Sequence, residues 1–272
     1  MKAGLVLGVC AVVACADVRG AEIPRVVAHR GNYQYDDNAL GGFKQSLAAG
    51  VTGYETDVQM TADGGFVIMH DSNVARTTTG TGNVYDLTFA AVTNLTLKKS
   101  GEHVPSLQQI ADLFKDRPDV SVEFEMKGQK PLYEDPKKLA QYVDGVHKIV
   151  TSTMPAGSYV FTSFAVDYLR MMRKRHPNAP TALIIGKAPA SAADDADIKK
   201  AVALGCERIA SLAGTSPDWV DAAQRASLRT TLWMVEDLET WKRCRAKGAA
   251  TVTSNHPIQL YTAVTNYLGG TR

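Results

Sequence analysis

Polar and apolar positions alternate along this chain with two different periods. From about residue 24 onward, short runs rich in β-branched residues carry the two-residue period of strands. They are predicted at Arg25–His29, Tyr54–Val58, Val120–Met126, Tyr159–Ser163, Thr181–Ile185, Arg208–Ser211, Thr230–Val235 and Ala250–Thr253. Stretches with helical spacing lie between them: Leu40–Ala49, Ser106–Phe114, Pro136–Thr151, Val166–Lys174, Ala192–Leu204, Pro217–Ala226 and Leu238–Lys247. One region breaks the rhythm. Phe66–His70 reads as an extra short strand, bracketed by the turn sequences Asp63-Gly64-Gly65 and Asp71-Ser72-Asn73. From there to about Val104 the chain has few helical features.

Eight strands alternating with helices predict an α/β fold, a (β/α)8 TIM barrel with an insertion after the second strand. A doubly wound open sheet is the runner-up. It needs a Gly-rich phosphate turn after its first strand, and Ala28-His29-Arg30-Gly31-Asn32 is not one. The insertion falls on the side of a barrel where loops carry the active site.

Side chains two apart on a strand share a face. Glu55 and Asp57 therefore point one way, and Tyr54, Thr56 and Val58 the other. Likewise Ser121, Glu123, Glu125 and Lys127 share a face, while Val122, Phe124 and Met126 face the helices. His29 ends the first strand. Carboxylates buried on strands need partners, because an unpaired ionised group in an apolar interior is very costly. Glu55, Asp57 and Glu125 could converge on one divalent cation, and hard oxygen ligands favour Mg²⁺ or Ca²⁺. Alternatively they pair with Arg30 and Lys127 in a structural ion network. The convergence of two such strands with His29 favours the cation. His29 and His70 are candidates for proton transfer, since an imidazole acts as base or acid near neutral pH. Arg30 suits bidentate contact with a phosphoryl group. His103, His176 and His256 are expected to be ordinary core or surface residues, with His176 exposed.

The order of the motifs adds a further reading. Ala28-His29-Arg30-Gly31, Glu55-Thr56-Asp57-Val58 and His70-Asp71 follow one another, then Arg76-Thr77-Thr78 with Gly80 and Gly82. Pro105-Ser106-Leu107, Glu123-Phe124-Glu125-Met126-Lys127, Ser163-Phe164, Leu232-Trp233-Met234-Val235 and Ser254-Asn255-His256-Pro257 complete the series. Each piece alone is weak, but the ordered set resembles the glycerophosphodiester phosphodiesterase family over nearly the whole chain after the N-terminus. The resemblance implies a barrel enzyme with one divalent cation, Mg²⁺ or Ca²⁺, on Glu55, Asp57 and Glu125. It implies His29 and His70 as the acid–base pair, Arg30 and Lys127 as phosphate contacts, and Trp233 as an aromatic wall near the substrate. Three positions depart from the family pattern. Its usual Glu-Asn-Thr reads Asp37-Asn38-Ala39, its usual Thr-Asp before the last Pro reads Ser254-Asn255, and its usual Asn after the Trp motif is Glu236.

The expected activity is hydrolysis of glycerophosphodiesters to glycerol phosphate and an alcohol. One alternative is a related barrel enzyme of the phospholipase C or sphingomyelinase D kind, acting on intact or lyso-phospholipids. That calls for an exposed apolar rim, for which the insertion offers Tyr85, Leu87 and Phe89. The other is a non-catalytic phosphodiester-binding barrel, which predicts the loss of an acid, base or ligand; none is lost.

Composition changes this picture little. Hydrophobic residues make up 45% and charged residues 21% of 272 residues, as in a globular domain with a core. The formal charge of +2 gives no reason to expect a nucleic-acid partner. The N-terminus does change it. Lys2 precedes the apolar run Leu5 to Ala14, which is too short to span a bilayer, and small residues follow. Residues 1–21 therefore read as a signal peptide and 22–272 as the barrel domain of an exported protein. Val12-Val13-Ala14-Cys15 also resembles a lipoprotein box, so membrane contact is expected only if Cys15 carries lipid. Cys206 and Cys244 remain in the domain, either as a disulfide or as two buried thiols.

Overall fold

The computed structural model describes residues 23–269, so the N-terminal apolar run and Cys15 lie outside the described residues. The strands are β1 (Arg25–His29), β2 (Gly53–Met60), β3 (Phe66–Ile68), β4 (Ser121–Met126), β5 (Tyr159–Ser163), β6 (Thr181–Ile184), β7 (Arg208–Leu212), β8 (Arg229–Trp233) and β9 (Thr251–Ser254). All but β3 are parallel, and they close into a barrel because β1 pairs with both β2 and β9. His29 stands opposite Glu55, and Asp57 stands opposite Glu125. The three strands that carry the candidate chemistry are thus side by side. Gly53 permits this closeness: a Cβ there would lie 2.6 Å from the Val26 carbonyl oxygen.

The helices are α1 (Leu40–Ala48), α2 (Phe89–Thr93), α3 (Leu107–Phe114), α4 (Lys130–Glu134), α5 (Pro136–Thr153), α6 (Val166–Arg175), α7 (Ala196–Ala203), α8 (Pro217–Arg225), α9 (Leu238–Ala246) and α10 (Pro257–Gly269). Their starts follow from local sequence. Ser106 and Gln109 form a reciprocal capping box on α3. Asp135 accepts from the Lys137 and Lys138 amides at the start of α5, with Pro136 in the first turn. The outward strand residues Val122, Phe124 and Met126 are buried in one core with Tyr142, Val146 and Val150 of α5.

Several boundaries differ from expectation. β8 stops at Trp233 instead of running to Val235, because Met234 adopts a left-handed backbone with φ 67° and turns the chain out of the ladder. Helix α10 was not anticipated; it buries Pro257, Leu260 and Val264. The insertion holds more order than its sequence suggested. β3 pairs antiparallel with β2, two short 3₁₀ turns span Val74–Arg76 and Val84–Asp86, and α2 follows. These elements enclose a second small core that includes Val67, Met69, Val74, Val84, Val92 and Leu97.

Cys206 and Cys244 are separate buried thiols. His176 is half-buried, not exposed: its ring stacks on His147 at 3.7 Å, and its Nε2 lies 2.9 Å from Asp144 Oδ1. Among the described residues no helix is long and apolar enough to cross a membrane.

The inward and outward faces of β4 carry different loads, which a stability measurement can read. Phe124 is fully buried between the barrel and its helices. Phe124→Ala is expected to cost about 3–5 kcal/mol, the range for emptying a buried aromatic site. Urea unfolding measures it, and a loss below about 1 kcal/mol would mean that this face is not packed as described.

Candidate active site

β2 and β4 deliver the carboxylates. One oxygen from each of Glu55, Asp57 and Glu125 lies within 4.8 Å of the others, and all three residues are buried. Oxygens this close can share a divalent ion at the usual ligand distance of roughly 2.0–2.6 Å. Asp57 Oδ1 adds a second observation: it is buried and accepts no hydrogen bond, its cationic neighbour being Lys127 Nζ at 3.3 Å. The donor set therefore fits a hard divalent cation. Glu123, on the same strand face, is not part of this cluster. It lies beside Thr231 Oγ1 at 3.5 Å and Arg208 Nη1 at 3.9 Å.

The structure also contains the ion network that was the alternative expectation. Lys127 Nζ lies 2.8 Å from Glu125 Oε1 and 3.3 Å from Asp57 Oδ1. Arg30 Nε lies 3.3 Å from Asp57 Oδ2. These cations divide the carboxylates into two kinds. Burial opposes ionisation of Asp57, but Lys127 and then Arg30 outweigh it and hold its carboxyl at about 2. Burial followed by the Asp57 charge pushes Glu125 up to about 7, and burial with both neighbouring carboxylates pushes Glu55 well above the usual range. The two arrangements are compatible, since Lys127 and Arg30 leave Asp57 ionised at the centre of the cluster.

Backbone geometry at the end of β1 aims these groups. Arg30 has φ 53°, an uncommon conformation for a non-glycine residue, and Gly31 follows at φ 91°. The Arg30 amide donates to the Glu55 carbonyl oxygen at 3.1 Å. Asn38, also left-handed at φ 66°, donates from Nδ2 to Asp57 Oδ2 at 2.8 Å and accepts from Thr56 Oγ1 at 2.9 Å. Asp37 does not reach the carboxylate cluster. Its Oδ2 instead bridges Arg30 Nη1 at 3.0 Å and Arg76 Nη2 at 2.8 Å.

The two imidazoles have unlike partners. His70 Nδ1 lies 2.6 Å from Asp71 Oδ1, and Asp71 Oδ2 accepts in turn from Arg76 Nε. Gln59 of β2 holds this segment, donating to the carbonyl oxygens of Met69 and Asp71, both at 2.8 Å. His29 Nδ1 lies 2.6 Å from Asn255 Oδ1, an amide. Burial, helped by Arg30, lowers the His29 pKa. Burial also lowers that of His70, against the opposing pull of Asp57. Burial thus shifts both rings toward the neutral form, while Asp57 and Asp71 pull His70 back toward the protonated one.

A cavity of about 430 Å³ opens at this end of the barrel, lined by His29, Arg30, Glu55, His70, Glu125 and Asn255 on its polar side. Phe164, Ile184, Trp233 and Met234 form the other side. Trp233 meets Phe164 edge to face at 6.3 Å, and its buried Nε1 has no hydrogen-bond partner. Lys127 stands behind the carboxylates. All eight residues expected at the site are thus at one end of the barrel, around or beside this cavity. Asn38, Gln59, Asp71, Arg76, Glu236 and Asn255 were given no role from sequence. Asp71, Asn38, Arg76 and Asn255 sat inside recognised motifs and Glu236 directly followed one, which was the available signal; Gln59 shared the face of Glu55 and Asp57.

Fold and site together define a TIM-barrel protein that gathers imidazoles, cations and carboxylates at the C-terminal ends of its strands. The chain belongs to the glycerophosphoryl diester phosphodiesterase family, whose model matches residues 29–259. It is 37% identical over 115 residues to a glycerophosphodiester phosphodiesterase of Caldanaerobacter subterraneus, covering 40% of this chain and 47% of that protein. A probable glycerophosphodiester phosphodiesterase 1 of Mycobacterium tuberculosis is 27% identical over 256 residues, covering 86% of this chain and 90% of that one. The chain spans about half the length of the Caldanaerobacter relative and of the Bos taurus relative, 47% and 48%. Solved structures share the fold. A putative glycerophosphoryl diester phosphodiesterase of Silicibacter pomeroyi superposes with a TM-score of 0.79 at 24% identity, covering 90% of this chain and 94% of that one. An Oleispira antarctica phosphodiesterase, solved in complex with the product sn-glycerol-3-phosphate, has a TM-score of 0.78 at 20% identity, covering 89% and 97%.

The raised Glu125 carboxyl has a consequence for stability in the presence of chelator. Its folded-state value of about 7 lies above the unfolded glutamate value of about 4.3. Between those values the native protein holds a proton that the unfolded chain has released. The contribution is therefore full below about pH 4 and is lost as pH rises toward about 7. The chelated protein is expected to lose stability across this window relative to Glu125→Gln, measured as urea midpoints. A difference that grows in favour of the native carboxyl as pH rises would overturn the assignment.

Proposed function

We propose that this chain hydrolyses glycerophosphodiesters to glycerol phosphate and an alcohol, with His29 and His70 as its acid–base pair. The observation that carries the reading is a cavity lined by two imidazoles, Arg30, Glu55 and Glu125, with Asp57 paired to Arg30 and Lys127 directly beside it. The product bound to the Oleispira antarctica structural neighbour supports the substrate class. Glu55, Asp57 and Glu125 would hold a divalent cation, Mg²⁺ or Ca²⁺. Such an ion, when bound, supplies positive charge beside the phosphoryl oxygens as they gain negative charge. Arg30, which lines the cavity, is placed to contact the same oxygens, and Lys127 adds positive charge from behind Glu125 and Asp57. One imidazole takes the proton of the attacking hydroxyl, from the substrate's neighbouring carbon or from water. The other gives a proton to the leaving oxygen. Trp233 walls the space beside the reacting group.

A second reading has an observation in its favour. Phe164 and Met234 are each 47% exposed at the cavity, which would suit the chain of a lyso-phospholipid. Of the insertion residues expected there, Leu87 and Phe89 pack against its own core, and Tyr85 lines a separate pocket with Met60 and Gln129.

Hydrolysis of a panel of glycerophosphodiesters and lyso-phospholipids, with metal resupplied after chelation, tests both readings. Replacing His29 or His70 by Ala should lower turnover by a factor on the order of 10²–10⁴. Metal affinity and the thermal midpoint should change much less. A well-folded His70→Ala protein with nearly full activity would remove the acid–base assignment. Full activity in excess chelator would remove the metal.

Export is a separate proposal, supported by the apolar run Leu5 to Ala14 and the small residues after it. The mature protein is expected to begin between about residue 15 and residue 22. Mass spectrometry of secreted material decides it: lipid on Cys15 marks an anchored form, and an intact Met1 refutes processing.

A further inference from the structure

The neutral partner of His29 is itself held in place by a carboxylate. Asn255 Nδ2 donates to Glu236 Oε1 at 2.9 Å. The same carboxylate accepts from the Asn255 amide at 3.1 Å, from Ser254 Oγ at 2.8 Å and from the His256 amide at 3.3 Å. Four donors from three consecutive residues therefore meet one side chain. Surrounded in this way, Glu236 has only acceptor work to do. The Asn255 amide must turn its NH₂ toward it, because a carboxylate oxygen cannot donate. That leaves the amide oxygen facing His29 at 2.6 Å. An amide oxygen also cannot donate, so the proton of the neutral ring must sit on Nδ1. The ring's other neighbour does not compete: Glu55 Oε2 is 3.8 Å from Nε2, beyond hydrogen-bond distance.

We propose that Glu236 and Asn255 are positioning residues that lock His29 in its Nδ1–H tautomer and present the Nε2 lone pair to the cavity. His29 is then the group that accepts a proton in the first step, which leaves His70 to give one. This rests on the reading of His29 as one of the two proton-transfer groups. The fold places both positioning residues. Met234 turns the chain out of β8, the Val235 amide donates to the Thr253 carbonyl oxygen at 3.0 Å, and Glu236 is carried against the end of β9.

The tautomer can be read directly by long-range ¹H–¹⁵N correlation of ¹⁵N-histidine-labelled protein with Mg²⁺ supplied, alongside kcat and KM. The wild type should show His29 protonated on Nδ1. Asn255→Leu and Glu236→Ala should each shift it toward a mixture or toward Nε2–H. Turnover should fall on the order of 10²-fold for Asn255→Leu, within the scale of a lost proton-transfer group, with KM near wild type. The reciprocal double variant Glu236→Gln/Asn255→Asp should restore both the Nδ1–H signal and most of the turnover, which a purely structural role would not predict. A wild-type ring protonated on Nε2, or a Glu236→Ala protein with unchanged tautomer and turnover, would overturn the proposal. If the variants shift the tautomer but His29→Ala keeps full turnover, the relay stands and the catalytic reading of His29 falls instead.

Discussion

The mouth of this barrel depends on the pairing of Arg30 and Lys127 with three buried carboxylates. Asp57 is fully buried and ionised, and an uncompensated charge in that position would cost several kcal/mol. Both cations reach it, at 3.3 Å each. The remaining two carboxyls are pushed toward their neutral forms by the same burial, so the cluster does not carry three full negative charges without a metal. Arg30 extends the pairing outward. Asp37 links it to Arg76, and Arg76 reaches Asp71, the partner of His70. This run of alternating charges ties the insertion to the end of β1. Gln59 adds a second tie from β2 to the Met69–Asp71 segment. The insertion is therefore part of the site's frame, because it carries one of the two imidazoles at a fixed place.

The two imidazoles are not equivalent. A carboxylate behind an imidazole favours the protonated ring, whereas an amide oxygen favours it much less. His70 has Asp71 behind it, and His29 has Asn255. His29 also has Arg30 beside it, which works against a second positive charge. Phosphodiester hydrolysis needs one group able to take a proton and one able to give it. Unlike partners behind two like side chains are a direct way to separate those tasks.

The alternation of side chains along strands made much of this site legible before any coordinates. Glu55 with Asp57, and Glu125 with Lys127, could be placed on inward faces because a two-residue period leaves no other choice once Tyr54, Val58, Phe124 and Met126 face the helices. Strand adjacency then followed from barrel closure. What was not legible depends on contacts between distant segments. Glu236 and Asn255 meet only because Met234 takes a left-handed turn, and the Thr230–Val235 pattern gives no sign of one. The insertion's own core pairs Val67 with residues such as Val92 and Leu97, which no local period connects. Helix α10 was hidden by a short apolar face, Pro257, Leu260 and Val264, in an otherwise mixed stretch. Asp37 stays outside the carboxylate cluster, because the left-handed Asn38 beside it takes the contact with Asp57.

The cavity itself follows from small side chains where barrels usually pack large ones. A barrel interior is ordinarily filled by layers of bulky branched residues. Here Ala210, Thr231 and Thr253 line the space, and Glu123 lines it beside Thr231. Arg208, on the neighbouring arc of the barrel, approaches Glu123 from the other end of the strands. The opening that results has two chemically different sides. Strands β1, β2 and β4 contribute charge, while β6, β8 and the turns after β5 and β8 contribute Ile184, Trp233, Phe164 and Met234. A phosphodiester has a matching division, with a charged phosphoryl group between two alcohols. On the proposed function, the charged side would hold the phosphoryl group and the apolar side would face one of the alcohols. On that reading, substrate choice and catalysis would be carried by different parts of the barrel rim, and so could vary separately.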